Sequence, residues 1–255
     1  MSLFKFLRAA AAVAVMAVTL LGALPSAHAQ SSALNSEQRS EINKLIHQYI
    51  LDNPQVILQS VQRMQAESEQ KSRQKAKVNV TTYHEELVND PDAPVAGNPK
   101  GNVTVVEFFD YRCGYCKRVF PAIQALLESD SNIRYVFKEF PILGPDSVFA
   151  SRAALALWRM DKSKYHDFHA AMMLNKGALS ESKVLTLASK LGIDAKALRS
   201  AAEAPEIDKI LARNFKLAEA LNINGTPAFV IGDELIPGAA DLDTLRQKIR
   251  QARGS

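Results

Sequence analysis

The sequence predicts an α/β domain split by a helical insertion and preceded by a helical extension. Three observations predict it. A short β-branched and aromatic run, Val103 to Phe109, is apolar on both faces except at Glu107, as a strand buried in a mixed sheet would be. From Ser147 to Leu221 the text reads as helix throughout. Strand-like runs then return at Ala228 to Ile231 and Glu234 to Ile236, around Gly232-Asp233, a hairpin signal.

The elements follow in chain order. Lys5 and Arg8 precede a 16-residue apolar run, Ala9 to Leu24, and then Ala27-His28-Ala29. A basic start, an apolar centre and a small-x-small site describe a secretory signal peptide over residues 1–29. The run is short for a membrane span, which needs about 20 apolar residues; the alternative is an uncleaved anchor. An exported chain meets an oxidising compartment, where thiol pairs persist as disulfides.

Residues 30–95 read as a helical extension and linker. Ile42, Leu45, Ile46, Tyr49 and Ile50 recur at helical spacing. Asn53-Pro54 supplies an N-cap residue and a Pro at the first helical position. A second helix with Val56, Ile57, Leu58, Val61 and Met64 follows. Beyond Met64 the helix turns polar, with Glu67/Lys71 and Glu69/Arg73 spaced for i,i+4 pairing. Two short helices build no core alone. Either they pack on the main domain or they pair with copies of themselves, and the polar stretch from Gln65 to Lys77, which reads as a spacer, favours self-association.

The α/β domain is expected in two pieces, 96–141 and 223–255, around an insertion at 142–222. A helix should begin near Cys113, with Pro121 inside it as a kink. Ile133 to Phe140 is the second strand. Helix breaks are expected near Asp161-Lys162, Lys176-Gly177, Gly192 and Pro205, and Leu242 to Ile249 closes the chain as an amphipathic helix.

Composition narrows the function classes. The 255 residues are 47% hydrophobic and 23% charged, which excludes a disordered or fibrous chain. Two cysteines exclude a disulfide-dense scaffold and a four-cysteine zinc site. Removing Lys5 and Arg8 with the signal lowers the formal charge from +4 to +2, too weak a balance to argue for nucleic acid.

The chemistry centres on Cys113-Gly114-Tyr115-Cys116, placed after a buried strand and at the start of a helix. Unpaired backbone N–H groups and the helix dipole stabilise an anion there. Cys113 should therefore be the acidic, attacking thiol. Cys116, one turn in, should resolve the mixed disulfide. Gly114 and Tyr115 carry no charge and tune the pair less than a cation would. A zinc site lacks a second CxxC, and a disulfide closing so short a loop gains little from chain entropy, so redox chemistry is the favoured reading. His166 and His169, three apart on a helix, read as surface residues rather than ligands. Glu107 would be a buried acid able to take and return the Cys116 proton through a water, or else an edge-strand residue facing solvent. Thr226-Pro227 opens a strand; a cis bond would present the Thr226 backbone opposite the CxxC, and an ordinary trans proline is the alternative.

Val106-Glu107-Phe108-Phe109-Asp110-Tyr111-Arg112-Cys113-Gly114-Tyr115-Cys116, with Gly225-Thr226-Pro227-Ala228-Phe229, resembles the DsbA-type branch of the thioredoxin superfamily. The resemblance implies a thioredoxin fold with a helical-domain insertion, with Thr226-Pro227 as the family's cis-proline loop and Glu107 as its buried acid. Strongly oxidising members carry His where Tyr115 stands and Val where Thr226 stands. Gly114-Tyr115 with Thr226 is instead similar to disulfide isomerases of the DsbC kind. The helical extension resembles the ScsC-like group, some of whose members are oligomeric isomerases linked to copper tolerance.

The resemblance thus implies a periplasmic thiol-disulfide oxidoreductase, an isomerase or reductase of unfolded or misoxidised exported proteins. Its only redox centre is the Cys113–Cys116 pair, with no other cofactor. A membrane reductase of the DsbD/ScsB type would keep it reduced, and it would be a homo-oligomer, with a trimer among the options. The rivals are a monomeric dithiol oxidase recharged by a DsbB-type partner and a copper-tolerance protein holding Cu(I) on Cys113 and Cys116.

Overall fold

The computed structural model describes residues 34–254. The expected signal, residues 1–29, lies outside the described residues. Two compact units divide the chain between Gln59 and Ser60. In the first, α1 (Ser36–Asp52) starts at Asn35, whose side chain accepts from the Gln38 N–H while the Gln38 side chain accepts from the Asn35 N–H. None of its residues is buried, and Leu45, Ile46, Tyr49 and Leu51 are all more than half exposed.

The helix α2 (Gln55–Thr82) runs unbroken through the polar stretch expected to be a spacer. Arg73 pairs with Glu69 at 3.4 Å, as the spacing predicts. Glu67 pairs instead with Arg63 at 3.1 Å, one turn before it rather than one turn after.

The second unit is built on a five-stranded sheet ordered β1-β3-β2-β4-β5, formed by β1 (Val95–Gly97), β2 (Val103–Phe109), β3 (Ile133–Glu139), β4 (Ala228–Ile231) and β5 (Glu234–Pro237). The β2 and β3 strands are parallel and the other pairings antiparallel. No local signal marks β1, three residues among prolines whose strand character comes from pairing with β3. Between β2 and β3 lies α4 (Gly114–Ser129), with Pro121 inside it. The run of helices expected at 142–222 falls between β3 and β4: α5 (Pro145–Met160), α6 (Tyr165–Met173), α7 (Glu181–Lys190), α8 (Ala195–Ala202) and α9 (Pro205–Ala220). Gly144 caps α5 at φ 100°, a left-handed conformation open to glycine, and Pro145 occupies the first helical position. The chain closes with α10 (Leu242–Ala252).

Alternation along β2 sends Val105 and Phe109 to one face of the sheet and Val106 and Phe108 to the other. The first face packs on α4, α10 and the inserted helices. The second is covered partly by Val80, Leu87 and Ala93, together with Leu217 and Ala218 of α9 and Leu221 just beyond it. Residues 80–93 therefore belong to the core of the sheet domain rather than to an extension ending at 95. Their burial is needed because a two-faced apolar strand leaves one face bare without them.

This covering segment, which includes α3 (His84–Val88), also brings a buried ion pair. The Lys138 ammonium is fully enclosed, donating to Asp90 at 2.6 Å and to the Glu86 carbonyl at 2.9 Å. Burial pulls the Lys138 pKa down, and Asp90 opposes that shift. Asp90→Ala strands the ammonium, and the expected cost is about 3 kcal/mol of unfolding free energy, read from the urea midpoint at constant m-value.

Candidate active site

The end of β2 sets the site. Asp110 is fully buried just beyond it. Its carboxylate accepts from the Arg112 N–H at 2.7 Å, the Leu143 N–H at 3.0 Å and the Ser147 hydroxyl at 2.7 Å. One side chain thus folds the 110–113 turn and ties it to the start of α5. The turn delivers Cys113 to the N-cap of α4, where Sγ accepts from the Cys116 N–H at 3.4 Å.

Cys113 is held down to about 5 by hydrogen bonding, first from the Cys116 side chain, then from Thr226 and the N–H groups of Cys116 and Tyr115; burial opposes this. Cys116 is wholly enclosed, and its pKa is driven up by burial, by the hydrogen bond it gives Cys113 and by the nearby Glu107. No disulfide joins Cys113 to Cys116. Each half of the pair thus supports the other's role, as the first thiol is acid because the second stays protonated and donates to it.

Gly114 has open space where a side chain would stand. Tyr115 is 57% exposed, with the Arg118 guanidinium over its ring at 4.9 Å. Across from them the Thr226–Pro227 bond is cis, and the Thr226 carbonyl lies 3.2 Å from Cys113 Sγ. The antiparallel pairing of β4 with β2, Ala228 opposite Phe108, brings that loop to the CxxC.

Glu107 is no edge residue. It sits on the central strand between Phe137 and Phe229 and is fully buried on the face that packs under α4. Oε2 accepts from the Tyr135 hydroxyl at 2.7 Å, while Oε1 has no protein partner. Burial pushes Glu107 up to about 8; the Tyr135 bond opposes the shift and the Cys113 charge adds to it. At neutral pH Glu107 therefore holds a proton beneath Cys116.

The model of the DsbA-like thioredoxin domain matches residues 104–250. The chain belongs to the DsbA-like thioredoxin family. A thioredoxin-like oxidoreductase from Silicibacter pomeroyi is 46% identical, covering 67% of this chain and 98% of that one, with a TM-score of 0.65. Proteus mirabilis ScsC in a transitional conformation is 28% identical, covering 87% of this chain and 99% of that one, with a TM-score of 0.66. Disulfide bond formation protein D of Bacillus subtilis is 27% identical over 62% of this chain and 76% of its own length. The match to the Na(+)/H(+) antiporter NhaA 1 of Salinispora arenicola, 28% identical over 64% of this chain, spans only 25% of that protein.

This DsbA-like domain also contains a polar cluster that the sequence did not foreshadow. The Tyr111 hydroxyl, two residues before Cys113, donates to Glu139 at 3.2 Å and lies 2.9 Å from His169 Nδ1. Tyr165 donates to the same Glu139 oxygen at 3.4 Å. His169 is buried among Phe109, Phe137 and Phe120, not on the helix surface, while His166 is exposed. Burial takes His169 down to about 3, so it is neutral there. The available signal was period: Tyr165, Phe168, His169 and Met172 mark one buried face of α6. No cluster of three metal-ligating side chains occurs among the described residues.

Proposed function

We propose that the protein is a periplasmic thiol-disulfide isomerase and reductase of exported proteins, with Cys113 as nucleophile, Cys116 as resolving thiol and Glu107 as proton carrier. The observation that carries this is the contrast within the pair: an acid thiol facing the Thr226 carbonyl and a sealed, strongly basic one behind it. Cys113 thiolate attacks one sulfur of a client disulfide, forming a Cys113–client bond and releasing the client's other sulfur as thiolate. Because Cys116 gives up its proton reluctantly, the mixed disulfide survives long enough for a second client thiolate to displace Cys113, which is isomerisation. Once Cys113 is bonded to the client its charge no longer holds Glu107 up; Glu107 in its carboxylate form then takes the Cys116 proton, the Cys116 thiolate attacks Cys113, the Cys113–Cys116 disulfide forms and the client leaves reduced by two electrons. In this reading Thr226 and Pro227 line the client's path, and Gly114, with open space beside it, and the exposed Tyr115 border the 6%-exposed Cys113.

A pair that must return to the dithiol needs a membrane reductase of the DsbD/ScsB type. The exposed apolar residues of α1 and early α2, among them Leu45, Tyr49, Leu58 and Met64, support a homo-oligomer formed through the extension. Light scattering is expected to give a multiple of the chain mass for residues 30–255 and a monomer for residues 72–255. The shorter chain keeps Val80, Leu87 and Ala93 on the sheet.

The second reading is a dithiol oxidase served by a DsbB-type partner. The depressed Cys113 pKa favours it, because a stabilised thiolate makes the disulfide more oxidising. Reactivation of scrambled ribonuclease decides between the two. Isomerase predicts recovery with catalytic amounts of reduced protein; a pair that only oxidises reduced ribonuclease sinks that reading. Cu(I) binding on Cys113 and Cys116 is the reading of another class, supported by two soft thiols in one site. It predicts tight Cu(I) titration, lost in Cys113→Ser, without disulfide exchange.

A further inference from the structure

At Arg112, the residue before Cys113, a groove of about 640 Å³ runs between the active-site turn and the end of α6. Its floor is apolar, with Met173, Leu174 and Leu179, and its edges carry Arg112, Lys117 and Lys176. No carboxylate lines it. Nor does any acidic residue occur from Tyr111 to Leu127, a stretch holding Arg112, Lys117 and Arg118. Two of the groove's cations are held by backbone oxygens rather than by acids. Lys117 Nζ donates to the Met172 carbonyl at 3.1 Å and the Asn175 carbonyl at 2.7 Å, and Arg112 Nη1 donates to the Leu143 carbonyl at 2.5 Å. Their charges are fixed in place yet not neutralised. Lys176 is exposed on the loop that closes the groove, and Leu174 beside it is 57% exposed.

We propose that this groove receives the client segment flanking the attacked cysteine and selects segments that carry carboxylates among apolar residues. The inference rests on the thiol-disulfide reading above and names its substrate class. Arg112 adjoins Cys113 in sequence, so a chain bonded through its sulfur to Cys113 lays its neighbouring residues, about 3.3 Å apart when extended, along the cationic edge. A carboxylate beside a client cysteine makes that sulfur a poorer leaving thiolate in water. Fixed cations oppose that effect, and fixed donors cost little ordering when the client arrives.

The test uses two peptides with the same internal disulfide, one flanked by Glu and the other by Lys, each mixed with reduced protein. The reaction read is formation of Cys113–Cys116 disulfide with release of peptide dithiol. At ~20 mM ionic strength the Glu peptide is expected to react about tenfold faster than the Lys peptide, with the ratio narrowing at ~500 mM. Lys176→Glu, on an exposed loop, and Arg112→Gln should each reduce that ratio to about twofold or less. Equal wild-type rates for the two peptides overturn the groove and leave the thiol-disulfide reading standing. Reaction with neither peptide overturns that reading itself. Selectivity that survives in both variants places recognition elsewhere and overturns the proposal.

Discussion

Cys113→Ser is expected to abolish disulfide exchange, with a loss of at least about a thousandfold, because no other acid thiol replaces it. Cys116→Ser should do the opposite of silencing the site. Cys113 still attacks, but the mixed disulfide then waits for an external thiol, so covalent client complexes should accumulate on a non-reducing gel. Wild-type attack should persist into acid solution. Alkylation of Cys113 by iodoacetamide, followed by mass spectrometry, should rise to half its plateau near pH 5. The same shift acts on stability. Cys113 is depressed from 9.0 to about 5, so between those values the unfolded chain binds a proton that the folded dithiol has released. Its contribution is complete above pH 9.0 and is lost as pH falls through about 5. An alkylation midpoint near the ordinary cysteine value would sink the nucleophile assignment.

Glu107→Gln is expected to slow the Cys116 step by about a hundredfold at neutral pH, since an amide neither takes nor returns a proton. The loss should concentrate in resolution, which stopped-flow traces separate from mixed-disulfide formation. Stability carries an independent signature. Glu107 is raised from 4.5 to about 8, so the folded protein keeps a proton across that window that the unfolded chain has shed. Its contribution is complete below 4.5 and fades as pH rises through about 8, so in wild type it opposes the Cys113 contribution, which grows over nearly the same range. Glu107→Gln, freed of that loss, should gain stability over wild type as pH rises through the window, and a pH-independent difference between the two proteins' urea midpoints would show that Glu107 is not the buried proton holder.

The strands β2 to β5, the CxxC and the helical breaks were legible because each is written in a local signal: β-branching, spacing, or glycine and proline. Glu107 was legible because a lone acid inside an apolar strand conflicts with its surroundings. What escaped is written in tertiary pairing. Gly97 ends a strand that exists only because β3 lies beside it. Asp110 looks like one more turn residue until Leu143 and Ser147, more than thirty positions away, arrive at its carboxylate. Tyr111, Glu139 and His169 come from three separate elements, and no spacing along the chain joins them. The extension boundary was misplaced for the same reason: Val80 and Leu87 look like ordinary amphipathic positions and reveal their partner only when the sheet's second face is seen to need covering.

The sulfur of Cys113 is also the acceptor that caps α4, and this joins the electrochemistry of the pair to the melting of the fold. A thiolate accepts the Cys116 N–H as an anion, whereas a disulfide sulfur accepts it weakly. The dithiol protein should therefore unfold at a higher temperature than the disulfide protein, reversing the usual effect of a cross-link. By a closed thermodynamic cycle, the difference between the two unfolding free energies equals the shift in reduction potential between the folded site and the same Cys-Gly-Tyr-Cys in an unfolded chain. Two calorimetric scans, one per redox form, thus measure how strongly the folded protein biases its own dithiol, without an electrode or a partner protein.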